Sequence, residues 1–189
     1  MTFQSWVPIL IFAAAGFANA EQSNPSGRVD QEKSLVSRLQ EYVKMQQDLE
    51  ASGSPAAGNS ADAAQIAARQ HALAGRIAAT RRGARQGEIF TEDVAEQFEK
   101  IIRKAFKEPG GQAMRKTIQE RDPVRRIVLK VNDVYPDDQP RTTMPPTLLN
   151  RLPILPKELA YRIIGRALVL QDTKTNLIVD FIPNAIPLK

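Results

Sequence analysis

The sequence predicts an α+β protein in which an N-terminal helical half precedes a small C-terminal antiparallel sheet, a β-meander. Three observations lead there. Apolar residues recur at intervals of three and four up to about residue 120, as one face of a helix requires. Beyond Pro123 compact β-branched runs replace that period. Between residues 160 and 182, two turn signals, Gly165-Arg166 and Asp172 to Asn176, divide three such runs. The organisation expected is a signal peptide over 1–20, an amphipathic helix and flexible linker over 21–60, and one α+β domain over 61–189, with helices within 62–120 and strands at 126–131 and 160–182.

The chain opens on an apolar stretch, Val7 to Phe17, followed by Ala18-Asn19-Ala20. Small residues at Ala18 and Ala20 form the pattern that a signal peptidase reads, which places cleavage after Ala20 and the mature start at Glu21. Met1 to Trp6 holds no Lys or Arg. An uncleaved anchor is the alternative, and only in that case is a membrane contact expected. Glu21 to Arg28 is polar and turn-rich and reads as a loose leader. From Asp30 to Leu49 the residues Leu35, Val36, Leu39, Tyr42, Val43 and Leu49 make one apolar stripe. Ala51 to Ser60, rich in Gly, Ser and Pro, interrupts it as a linker. The helix is therefore expected to be detached, docking in trans or joining two copies in a homodimer.

A second helix is expected from Asp62 to Arg82, capped by Ser60 or Asp62, with Ile66, Leu73 and Ile77 inward. Gly83 and Gly87 end it. A third starts at Thr91, whose hydroxyl is expected to cap the first turn, and Val94, Phe98, Ile101, Ile102, Ala105 and Phe106 form its stripe. The short connection between these two suggests an antiparallel hairpin. Pro109-Gly110-Gly111 stops the third helix, and a helical turn follows over Gln112 to Gln119. Arg126 to Val131 reads as a strand. Eight of the thirteen prolines then fall between Pro136 and Pro187, interleaved with leucines that need burial. That segment is expected to cross an apolar surface in extended form, with one helical turn at Pro146 to Arg151. The runs Ala160–Ile164, Ala167–Gln171 and Leu177–Ile182 complete the meander. They are apolar at most positions, so both sheet faces should be covered, one by helices and one by the proline-rich segment.

The net charge is +5, and the excess lies in residues 61 to 130, where fifteen basic residues face nine acidic ones. Glu96 with Lys100 and Glu99 with Arg103, spaced i, i+4, account for part of it as a solvated helix face. An export signal also removes nucleic acid as a partner. With no cysteine there is no disulfide, thiolate nucleophile or sulfur-ligated metal. His71 is the only histidine. It lies off the apolar stripe of its helix and has no Ser/Asp or ligand spacing around it, so no catalytic residue, metal ligand set or cofactor is assigned, and the chain reads as non-enzymatic. Asn132-Asp133 with Asp137-Asp138 is an oxygen-rich loop that offers ligands to a hard cation such as Ca²⁺, but with no EF-hand spacing or central Gly a solvated turn is the better explanation. Asp172 reads as a turn residue, and Asp180 as a strand residue pairing with Arg162 or Arg166 across the sheet. Arg81, Arg82 and Arg85 complement a helix C-terminus, with an anion-binding patch as the functional reading.

Met144-Pro-Pro-Thr-Leu-Leu149, Leu152-Pro-Ile-Leu-Pro156, Leu159 to Arg166, Leu168 to Asp172 and Asn176 to Asp180, with Gln86 to Thr91 upstream, resemble a set of uncharacterised exported bacterial proteins that end in a proline-rich segment and a β-meander. The paired strands ending in Ile-Val-Asp180 are more weakly similar to the tail of small periplasmic proteins linked to nickel and cobalt homeostasis. These resemblances imply a periplasmic or secreted bacterial protein and carry no catalytic residue. The expected function is a non-enzymatic envelope protein acting through protein or surface contacts. The alternative is a periplasmic small-ligand or metal-binding protein using the loop at Asp133 to Asp138.

Overall fold

A computed structural model describes residues 25–53, 62–121, 128–136 and 142–188. The expected signal segment with Ala18 and Ala20, most of the linker, and Asp137-Asp138 lie outside these residues. The helices are α1 (Pro25–Ala51), α2 (Ala63–Thr80), α3 (Glu92–Lys107), α4 (Gly111–Arg121) and the single turn α5 (Pro146–Leu149). The strands are β1 (Thr142–Thr143), β2 (Leu159–Ile164), β3 (Ala167–Asp172) and β4 (Ile178–Ile182). They form one antiparallel sheet in the order β1-β2-β3-β4. The α+β class, its order along the chain and the meander thus hold.

The first helix does not stand apart. Leu35, Leu39 and Tyr42 are buried in the same core as Leu73 and Ile77 of α2, Phe98 and Ile102 of α3, and Leu168 and Leu170 of β3. Burying an apolar stripe is what stabilises such a helix, and here its own sheet and helices supply the surface. Val36, expected in the stripe, is 39 % exposed, while Gln46 is fully buried. The helix also starts earlier than expected, at Pro25, where a proline's missing N–H costs nothing. Helix neighbours differ from those the loop lengths suggest: α1 lies against α2 and α3, and α3 against α4.

Local signals at helix ends hold in part. Asp62 caps α2 by accepting from the Ala64 N–H at 3.3 Å. The Thr91 hydroxyl makes no capping bond, and only its backbone carbonyl serves α3, accepting from Ala95. The turn expected after Gly111 is a full helix of 11 residues. Gly111 is required there, because a Cβ would stand 2.2 Å from the Phe106 carbonyl oxygen. Ile66, expected inside, is 48 % exposed.

The two sheet faces are covered differently from the expectation. Tyr161, Ile163, Leu168, Leu170 and Val179 point to the helices, and the proline-rich segment joins that same core through Met144, Leu148 and Leu152. The opposite face, with Ile164, Ala167, Val169 and Ile178, is covered by Tyr135 and by Leu129. The strand expected at 126–131 is absent among its described residues, and Val128 is 88 % exposed. Pairing occurs a few residues later: Asn132 and Tyr135 donate to the carbonyls of Ile178 and Asn176, with an isolated bridge between Val134 and Leu177. Gly165 takes the left-handed φ of 58° that the tight β2–β3 connection needs.

The position of α1 has a direct test. Leu39→Ala should destabilise the protein by about 2–5 kcal/mol, as truncation of a core leucine does, measured by urea unfolding. A detached helix would tolerate the change with no shift in midpoint.

Candidate functional site

Two carboxylates lie fully buried in a face made mostly of aliphatic side chains, and each is surrounded by donors. Asp172 ends β3. Its Oδ2 accepts from the Tyr42 hydroxyl at 2.8 Å and from Gln46 Nε2 at 2.6 Å. Its Oδ1 accepts the backbone N–H groups of Lys174 and Thr175 at 2.8 and 2.9 Å, closing the turn to β4. The turn role expected of Asp172 is therefore real, but it is half of what the residue does. Burial, and next the adjacent Asp172 charge, raise the Tyr42 pKa far above the usual tyrosine value.

Asp180 does not pair with Arg162 or Arg166. Its Oδ1 accepts from the N–H groups of Gly87 and Phe181 at 2.9 and 2.8 Å, and its Oδ2 from Ile89 and Phe90, both at 2.8 Å. A β-bulge aims it there. Gln171 pairs with Ile178 while Leu170 pairs with Asp180, so Val179 is an extra residue in β4 and alternation restarts after it. Without the bulge Asp180 would point to the opposite face. Arg162 turns instead to Gln171, with Nε donating to Oε1 at 3.2 Å.

The basic cluster at the end of α2 is split. Arg81 is drawn inward, its Nη1 donating to Asn132 Oδ1 at 3.0 Å and its Nη2 to the Val179 carbonyl in the bulge at 3.2 Å. Its guanidinium lies 5.2 Å from the centre of the Tyr42 ring. Asn132 returns a bond to the Arg81 carbonyl at 2.7 Å. Only Arg82 and Arg85 face solvent, so the three do not make one anion patch. His71 is exposed, as expected. Asn132 is thus a structural partner of Arg81, and Asp133 is exposed with its backbone engaged by Lys130 and Ile178. Among the described residues no group of three or more His, Asp or Glu is placed to hold a metal ion, and no helix is long and apolar enough to cross a membrane.

An apolar groove of about 560 Å³ lies between the first half of β2 and the proline-rich segment. Leu148 and Leu152 fix one wall by entering the core, at 0 % and 6 % exposure. An Arg151–Glu108 ion pair ties the same wall to the end of α3. That contact lowers the Glu108 pKa and raises that of Arg151. The Tyr161 hydroxyl, whose pKa burial raises, donates to the Pro153 carbonyl at 3.2 Å. Leu149 and Ile154 remain outside, 45 % and 95 % exposed. On the facing side β1 pairs only with Arg162 and Ile163, so Leu159 to Tyr161 have no neighbouring strand on that edge among the described residues. All of these apolar residues look like core in the sequence, because spacing alone does not distinguish the anchored Leu148 and Leu152 from the exposed Leu149 and Ile154.

The carboxylates have measurable consequences. Asp180→Asn leaves one acceptor oxygen and turns an amide N–H₂ toward backbone donors, so it should cost about 3 kcal/mol or more in urea unfolding. Tyr42→Phe should cost about 1–3 kcal/mol at neutral pH by leaving Asp172 one donor short. Because folding raises the Tyr42 pKa, its contribution is whole below the unfolded value of about 10 and declines as pH rises above it, so the variant should lose less stability than the parent in that alkaline range. Equal alkaline slopes in the two proteins would contradict this assignment.

Comparison of the chain with protein-family models, curated proteins and solved structures found no match.

Proposed function

We propose that this is an exported, non-enzymatic envelope protein that works by binding an extended apolar segment of a partner protein in the groove beside β2. The single observation that carries this reading is the pairing of a stretch of strand edge that has no neighbouring strand among the described residues, at Ala160 and Tyr161, with an anchored apolar wall. A strand edge offers backbone hydrogen bonds to an incoming chain, and an adjacent apolar wall accepts its alternate side chains. Export is supported by the apolar Val7–Phe17 run and the Ala18-Asn19-Ala20 site. The absence of a reactive role is supported by the use already made of Asp172 and Asp180: all four oxygens of these buried carboxylates accept hydrogen bonds within the fold.

The groove is tested by selecting peptides from a random display library on the purified chain from Glu21 onward. Selected peptides should be extended, with apolar residues at alternate positions. Binding should be lost in the Leu149→Asp, Ile154→Asp double variant while its melting temperature stays within a few degrees of the parent, since both side chains already face water. Peptides that bind the variant equally well would remove the groove as the site. Mass spectrometry of the protein recovered from expressing bacterial cells should give a chain starting at Glu21.

A further inference from the structure

A second concavity, of about 430 Å³, lies between the end of α1, one face of α2 and the β3–β4 turn. Along α2 its lining runs Ile66, Arg69, Leu73, Arg76, the spacing that keeps residues on one side of a helix. Apolar and cationic side chains therefore alternate along a single wall. Lys174 of the turn adds a third cation, and Glu50 is the one acid in the lining, held by Lys174 at 2.5 Å.

Charge in this cleft is left over. The helix α2 contains no Asp or Glu, and neither Arg69 nor Arg76 has a carboxylate within ion-pair distance among the described residues. Residues 54–61, which link α1 to α2, contain no acidic side chain that could neutralise them. Arg76 is partly buried, and its Nε is shielded from water with no hydrogen-bond partner. A buried guanidinium N–H without an acceptor is costly, and a carboxylate is the acceptor whose geometry suits it. Beside these cations the wall is apolar: Leu73 is 5 % exposed, and Ile66 presents an open aliphatic surface.

We infer that this cleft binds a small amphipathic carboxylate, with Arg76 and Arg69 holding the acid group and Ile66 and Leu73 the apolar body. The volume is in the range of small-molecule sites and suits a medium-length acyl chain. Three cations against one acid supply the charge complementarity, while the aliphatic patch disfavours a bare inorganic anion. This site is separate from the groove at β2 and does not depend on it.

The test uses octanoate, octanol and inorganic phosphate as probes, with calorimetric titration of the chain from Glu21 onward. Octanoate should bind and raise the melting temperature, octanol should not bind at matched concentration, and phosphate should bind more weakly than octanoate. Arg69→Gln, at an exposed position, and Arg76→Gln should each weaken octanoate by about tenfold or more. Ile66→Asn should weaken octanoate while leaving phosphate unchanged. Circular dichroism melts of the variants separate loss of binding from loss of fold. Phosphate binding as tight as octanoate, octanoate binding insensitive to Arg69→Gln, or binding to anionic phospholipid vesicles without binding to free octanoate would each overturn the inference.

Discussion

A carboxylate buried in an aliphatic sheet face must be surrounded by donors, and in this protein that requirement joins the two halves of the chain. Removing an ionised side chain from water costs several kcal/mol unless hydrogen bonds replace its hydration. For Asp172 two of the replacements come from α1, through Tyr42 and Gln46. For Asp180 three come from the backbone of the loop between α2 and α3. Each acid sits in the sheet, and two of the four donors to Asp172 and three of the four to Asp180 sit in the helical half. Packing of apolar surfaces alone tolerates sliding; these bonds do not. They fix where α1 and the Gly87–Phe90 loop lie relative to β3 and β4.

The bulge at Val179 makes the second of these contacts geometrically available. It turns Asp180 toward the helices, and it leaves the Val179 carbonyl to accept from Arg81. Arg81 in turn lies over the Tyr42 ring, so the cation stands close to the phenol that serves Asp172. One irregularity in β4 thereby links both carboxylates through Arg81 and Tyr42. Within the network Gln46 spends its amide N–H on Asp172 and leaves its own oxygen buried without a partner. The short 2.6 Å bond to a charged acceptor offsets that loss, because charge-assisted bonds are the stronger kind.

Periodicity and turn chemistry were sufficient to read the helices, the meander, its turns and the helical turn at Pro146, because these signals are local. The placement of α1 was not legible, since a Gly/Ser/Pro linker describes flexibility between its ends and says nothing about where the ends pack. Val36 and Ile66 look like core by spacing yet are exposed, whereas Gln46 looks like surface and is buried. Those inversions follow from which neighbours arrive, information that no window of sequence contains. The role of Asp180 was hidden for a related reason: a bulge shifts side-chain direction by one residue, and alternation rules assume there is none. The covering of the outer sheet face by residues 129–135 is not legible because that segment reads as a strand and a polar turn, while its contribution is the buried Tyr135, the partly buried Leu129 and three backbone bonds. For the candidate sites, composition pointed to an excess of positive charge in the middle of the chain, but only the fold distinguishes Arg81, which it consumes, from Arg69 and Arg76, which it leaves.

Exposed apolar side chains are ordinary on protein surfaces, so exposure by itself does not distinguish Ile154 from Val128. What differs is the ground they stand on. Val128 lies in a segment with no regular secondary structure, whereas Leu149 and Ile154 alternate with Leu148 and Leu152, which are locked in the core, and are flanked by the Arg151–Glu108 pair and the Tyr161–Pro153 bond. Prolines at 145, 146, 153 and 156 restrict the backbone between these anchors. A partner docking there would find a surface that has already lost most of its conformational freedom in folding, so less ordering entropy opposes binding. The prolines that look, in sequence, like a break between secondary-structure elements are on this argument what keeps the groove open.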